Sequence, residues 1–88
     1  MNYTIDILGH TYTKVYSDSV NDSAHVDLSE LKIYISVKME QSRQEEALIH
    51  EILEALNYHL GLGLEHRQTV AISEGLYVVL KTNKLLQL

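Results

Sequence analysis

Residues 42–60, SRQEEALIHEILEALNYHL, decide how the chain folds. Leu48, Ile49, Ile52, Leu53, Leu56 and Leu60 recur every three or four positions, the spacing that lines one side of an α-helix. With Leu48 taken as zero and about 100° per residue, they cover an apolar stripe from roughly 0° to 140°. Ser42 and Glu45 form S-x-x-E, a capping-box pattern, and Glu45 and Glu46 suit the positive end of the helix dipole. Gly61 or Gly63 supplies the left-handed residue that ends such a helix. The pattern predicts one amphipathic helix over Ser42–Leu60.

Off the apolar stripe, the helix carries His50, Glu51 and Glu54 as H-E-x-x-E. This differs at one position from H-E-x-x-H, in which two histidines a turn apart hold zinc and the glutamate between them is the base. His50 falls at about 200° and Glu54 at about 240°, so an imidazole nitrogen and a carboxylate oxygen share a face. Both are zinc ligands at about 2.0–2.2 Å. Glu51, at about 300°, flanks the pair, within reach of a water beside the metal but not as a ligand. His59 falls at about 20°, almost opposite His50, and is placed at the core edge or helix end. Tyr58, at about 280°, is a packing residue or an oxyanion donor. Asn57, at about 180°, is a surface amide or a partner that orients His50.

Before this helix the pattern changes to alternation. Tyr3–Leu8 (YTIDIL) and Thr11–Tyr16 (TYTKVY) read as two strands of a hairpin turning at Gly9-His10. Ser17–Ser23 is a polar loop, and Ala24–Leu28 a short third strand. Leu31–Val37 (LKIYISV) is the clearest strand, with Leu31, Ile33, Ile35 and Val37 on one face. After the helix, Leu64–Gln68 is a short connection containing His66. A second helix is expected over Thr69–Lys81, with Val70, Ile72, Leu76, Val79 and Leu80 available to pack, and Thr82–Leu88 forms the tail. Strands followed by helices predict an α+β fold: a small antiparallel sheet of three to four strands, then two helices.

The 88 residues make one domain, 1–88, near the size at which a single core just stabilises a fold. Apolar residues are 45% of the chain, without a run long enough to span a bilayer or a signal-peptide pattern. There is no cysteine, so disulfides and thiolate ligands are excluded and a reducing, cytoplasmic setting is expected. Any metal must be held by His, Asp and Glu. A net charge of −5 with scattered basic residues argues against a nucleic-acid partner. His10 and His25 read as a turn residue and a strand-edge residue.

A catalytic zinc takes three protein ligands and keeps a fourth position open. The third candidate is His66, just past the glycine turn where the chain folds back along the helix, or Glu74 on the second helix. His66 is preferred because it supplies a second imidazole where Glu74 would concentrate negative charge.

With ILGHTYTKVY, LKIYISV, QEEALIHEILEALNYHLGLGLEH and EGLYVVLKTN taken together, the chain resembles the small zincin-like proteins of phages and prophages, relatives of minimal metallopeptidase domains. Only the central segment is chemically specific, and Glu54 stands where the family motif has its second histidine. The offset from Glu54 to Glu74 is similar to that in thermolysin-like gluzincins. The resemblance implies a zincin-like fold, zinc as cofactor with His50, Glu54 and His66 as ligands, and Glu51 as catalytic base. It also implies a peptide or protein substrate lying along the Leu31–Val37 strand as an edge. Two other readings stand beside this one: a non-catalytic interaction protein or homodimer on the same scaffold, and a structural domain without metal.

Overall fold

The computed structural model describes residues 3–18 and 23–86. Most of the expected polar loop (residues 19–22) and the end of the tail (residues 87–88) lie outside the described residues. The elements are β1 (Thr4–Ile7), β2 (His10–Ser17), β3 (Ala24–Asp27), β4 (Lys32–Ser36), α1 (Gln41–Leu60) and α2 (His66–Thr82). This is the α+β layout expected, four strands followed by two helices. Among the described residues no helix is long and apolar enough to cross a membrane.

The β1–β2 hairpin turns at Leu8-Gly9, one residue earlier than expected. Both have positive φ, 54° and 82°, and Ile7 pairs with His10. Two central residues with φ > 0 define the type I′ turn, whose twist matches that of the strands it joins.

The sheet order is β1-β2-β4-β3, and it is mixed: β2 pairs with β4 in parallel, the other pairs antiparallel. The expectation of a purely antiparallel sheet is corrected on this point. β3 stands one strand position away from β2, and β4 occupies the place between them. Both sides of β4 are therefore used. Thr13 N–H donates to Leu31 C=O and Val37 N–H to Ser17 C=O on the β2 side, while Ser36 N–H donates to Ser23 C=O on the β3 side. The Leu31–Val37 segment is thus the interior of the sheet and not a substrate edge. Burial explains why it reads as the strongest strand, since Ile33 and Ile35 are fully buried.

The core lies between one sheet face and α1. Ile7, Tyr12, Ile33 and Ile35 meet Met39, Leu48 and Ala55, with Ile5, Val26, Ile52 and Leu56 packed around them. Each large apolar side chain buried there contributes about 1.5–3 kcal/mol. The buried side of α1 includes Leu48, Ile49, Glu51 and Ala55, whereas Leu60 is exposed. Relative to the expected stripe it is therefore turned toward Glu51. The cause is tertiary: the sheet and α2 both pack on α1, whereas a periodicity reading allows for one apolar side.

The α1 capping box does not form. The helix starts one residue earlier, its N-cap is Glu40, and that side chain makes no cap hydrogen bond. Glu45 instead accepts hydrogen bonds from the Tyr77 hydroxyl at 3.0 Å and Lys81 Nζ at 2.9 Å, tying α1 to α2. These contacts hold its carboxyl below the usual range, the Lys81 hydrogen bond being the largest cause. At the other end Gly61 adopts φ 60°, with Gly61 N–H bonded to Tyr58 C=O and Leu62 N–H to Asn57 C=O. This is the Schellman arrangement that lets the chain reverse after a helix.

Candidate metal centre

α2 begins at His66, three residues before the expected start. The signal was a capping pattern with glutamate in the cap position: Glu65 N–H donates to Gln68 Oε1 at 2.8 Å. Asn57 fixes where α2 begins. Its Nδ2 donates to Leu64 C=O at 3.1 Å and its Oδ1 accepts from Leu64 N–H at 2.9 Å. Asn57 thus anchors the connection beside α1 rather than orienting His50. Held in this way, the first residue of α2 returns to the level of His50.

His50, Glu54 and His66 come together. Each offers a ligand atom, and the three atoms lie within 4.8 Å of one another. The two imidazoles stand edge to face, with ring centres 5.5 Å apart and planes at 83°. Tetrahedral zinc at about 2.0–2.2 Å sets its ligand atoms about 3.4 Å apart, so small side-chain rotations would close the triangle on an ion. The group could hold a metal ion. Glu74 lines the same groove but is not one of these three.

The ring nitrogen Nδ1 of His50 meets Ser73, which the sequence did not single out. The Ser73 hydroxyl donates its one proton to Val70 C=O at 2.9 Å. With the hydroxyl proton so directed, Ser73 Oγ accepts from His50 Nδ1, 3.3 Å away, an arrangement that goes with the Nδ1–H tautomer. That leaves the Nε2 lone pair free, the form a metal needs. Ser73 lies seven residues after His66, two turns along the same side of α2. Its place in the site became visible only once the helix was known to start at His66.

Glu51 is buried, only 6% exposed, at the groove wall. Burial, and then the nearby Glu54 carboxylate, push its pKa from 4.5 up to about 7. The groove runs along α1 past Arg43, Ala47, His50 and Glu51, between Val70, Ser73 and Glu74 of α2 and Ser23 and Ala24 at the start of β3. β3 is an outer strand. Because Ser23 faces β4, alternation turns the backbone N–H and C=O of Ala24 and Val26 outward to the open edge.

The remaining histidines lie elsewhere. His59 Nε2 is 2.6 Å from the buried Tyr12 hydroxyl, and its ring stacks on His10 at 4.0 Å. His10 opens β2 and is not a turn residue. His25 stands on the outer strand and stacks on Tyr34. Tyr58 is 62% exposed and packs edge-on to His59, away from the groove lining, so its placement does not support an oxyanion role.

Comparison of the chain with family models, curated proteins and solved structures returns no match.

Proposed function

We propose that this protein is a small zinc-dependent peptidase of zincin-like design. The observation that carries this reading is the convergence of His50, Glu54 and His66 beside the buried carboxyl of Glu51. The motif departure at position 54 loses much of its weight when the whole donor set is counted. Two imidazoles and one carboxylate are the His2Glu set of thermolysin-type sites, with the glutamate and the second histidine exchanged in chain order. Zinc there would supply Lewis acidity toward a substrate carbonyl and make a nearby water more acidic.

The chain's own groups do the rest. Glu51 takes a proton from the attacking water as its oxygen bonds to the carbonyl carbon, then gives the proton to the amide nitrogen as the C–N bond breaks. A carboxyl with a pKa of about 7 suits both tasks at neutral pH. Ser73 orients His50, and Asn57 holds His66 in place. The peptide lies extended against β3, where the outward backbone groups of Ala24 and Val26 offer strand addition.

The test is zinc calorimetry on the purified protein together with mass-spectrometric analysis of peptide cleavage. Stoichiometric zinc binding lost in His50→Ala and His66→Ala, with hydrolysis lost and zinc retained in Glu51→Gln, is the expected outcome. Zinc binding with no hydrolysis of any peptide would favour the non-catalytic interaction protein on the same scaffold. Absence of zinc binding would remove the peptidase reading and leave an interaction or structural domain without metal.

A further inference from the structure

Arg43 lines the groove at the N-terminal end of α1. It lies seven residues before His50, two turns along the same side of the helix and about 10.5 Å away along its axis. Among the described residues it forms no ion pair, even with Glu46 one turn on. Apart from the histidines His50 and His66, the other titratable side chains lining the groove, Glu46, Glu51 and Glu74, are carboxylic acids. Away from the metal group, Arg43 is therefore the cationic side chain on which a carboxylate entering the groove can rest.

The strand direction decides which end of a peptide arrives there. β4 leads into α1 through a short connection, so the start of α1 lies near the end of β4. β3 runs antiparallel to β4, which puts its first residue, Ala24, at that same end. At the far end, His59 of α1 meets His10 and Tyr12 at the start of β2, which is parallel to β4. α1 and β3 thus run in the same direction. A peptide added antiparallel to β3, the more stable pairing, has its C-terminus pointing toward Arg43. At about 3.3 Å per extended residue, the span from the metal group to Arg43 holds about three residues.

Resting on the peptidase reading above, we propose that Arg43 recognises the free C-terminal carboxylate of an extended peptide. The substrates are then peptides with a free C-terminus, from which a fragment of about three residues is released. Arg43 sets substrate choice and takes no part in bond cleavage.

The test measures binding separately from turnover. Zinc-loaded Glu51→Gln protein is titrated with one fluorescent peptide as the free acid and as the C-terminal amide. The acid is expected to bind about 2–5-fold more tightly, the gain from an ion pair to the exposed Arg43, and Arg43→Gln should remove the difference while leaving amide binding unchanged. Equal binding of acid and amide, or binding of neither, overturns the proposal. Cleavage by the wild-type protein is followed alongside. Release of fragments at a constant distance from the C-terminus supports it, and cleavage of amidated peptides at equal rates refutes it while leaving the peptidase reading intact. Acid-selective binding without cleavage supports the Arg43 contact and refutes the peptidase reading.

Discussion

Glu51→Gln should stabilise the metal-free protein at alkaline pH and leave it nearly unchanged at acid pH. In the folded chain burial raises the Glu51 pKa from 4.5 to about 7. Between those values the folded state holds a proton that the unfolded state has released. Stability therefore falls as pH rises from about 4.5 through about 7, and the whole cost is present above that. At about 1.36 kcal/mol for each pH unit the cost is about 3 kcal/mol, reduced to about 2 kcal/mol by the groove's opening to solvent. The substituted glutamine carries no charge to desolvate. The variant should match the wild type near pH 4.5 and exceed it by about 2 kcal/mol at pH 8, or about 8–16 °C in Tm for a domain of this size. Urea denaturation in the presence of a chelator from pH 4.5 to 8.5 reads this directly. Parallel pH profiles for the two proteins would show that Glu51 is solvated when folded, and the argument for a buried base would fail. Zinc should shrink the difference, because a nearby cation favours the ionised carboxylate.

Two other outcomes follow from individual contacts. Ser73→Ala should weaken zinc binding about 10–100-fold and shift the His50 tautomer populations seen in nitrogen-15 NMR, a readout that a purely packing role would not move. Unchanged tautomers would remove Ser73 from the site. Leu8 is 53% exposed with φ 54°, a conformation that strains a leucine, so Leu8→Asn should stabilise the protein by about 1 kcal/mol in urea denaturation. A loss of stability would mean that Leu8 packs in a way its exposure does not suggest.

The facing of His50 and Glu54 was legible in the sequence, because four residues along a helix return to the same side whatever surrounds it. His66 was legible as a neighbour because the glycine turn reverses the chain, though not as the first residue of α2. Its cap is a glutamate, a residue less often read as a helix start than serine or aspartate. Asn57 read as a surface amide or a partner of His50, not as the anchor of Leu64, and Ser73 did not read as part of the site. Their roles depend on hydrogen bonds from Asn57 to Leu64 in the connection and between Ser73 and His50 across the packed pair of helices. Glu45 read as half of a local cap, but its stronger partners, Tyr77 and Lys81, lie more than thirty residues away.

Local repetition was enough to set the strands, the long helix, the order of elements and the pairing of the candidate ligands His50 and Glu54 on one helical turn. Packing in three dimensions settled that β4 lies inside the sheet and β3 at its edge, since alternation is equally satisfied by either neighbour. Packing also buried Glu51, because helix periodicity shows where one apolar side lies but not how many partners cover the helix. The chemistry proposed here depends on both: a ligand pair set by helix geometry, and a carboxyl whose proton affinity is raised by its surroundings.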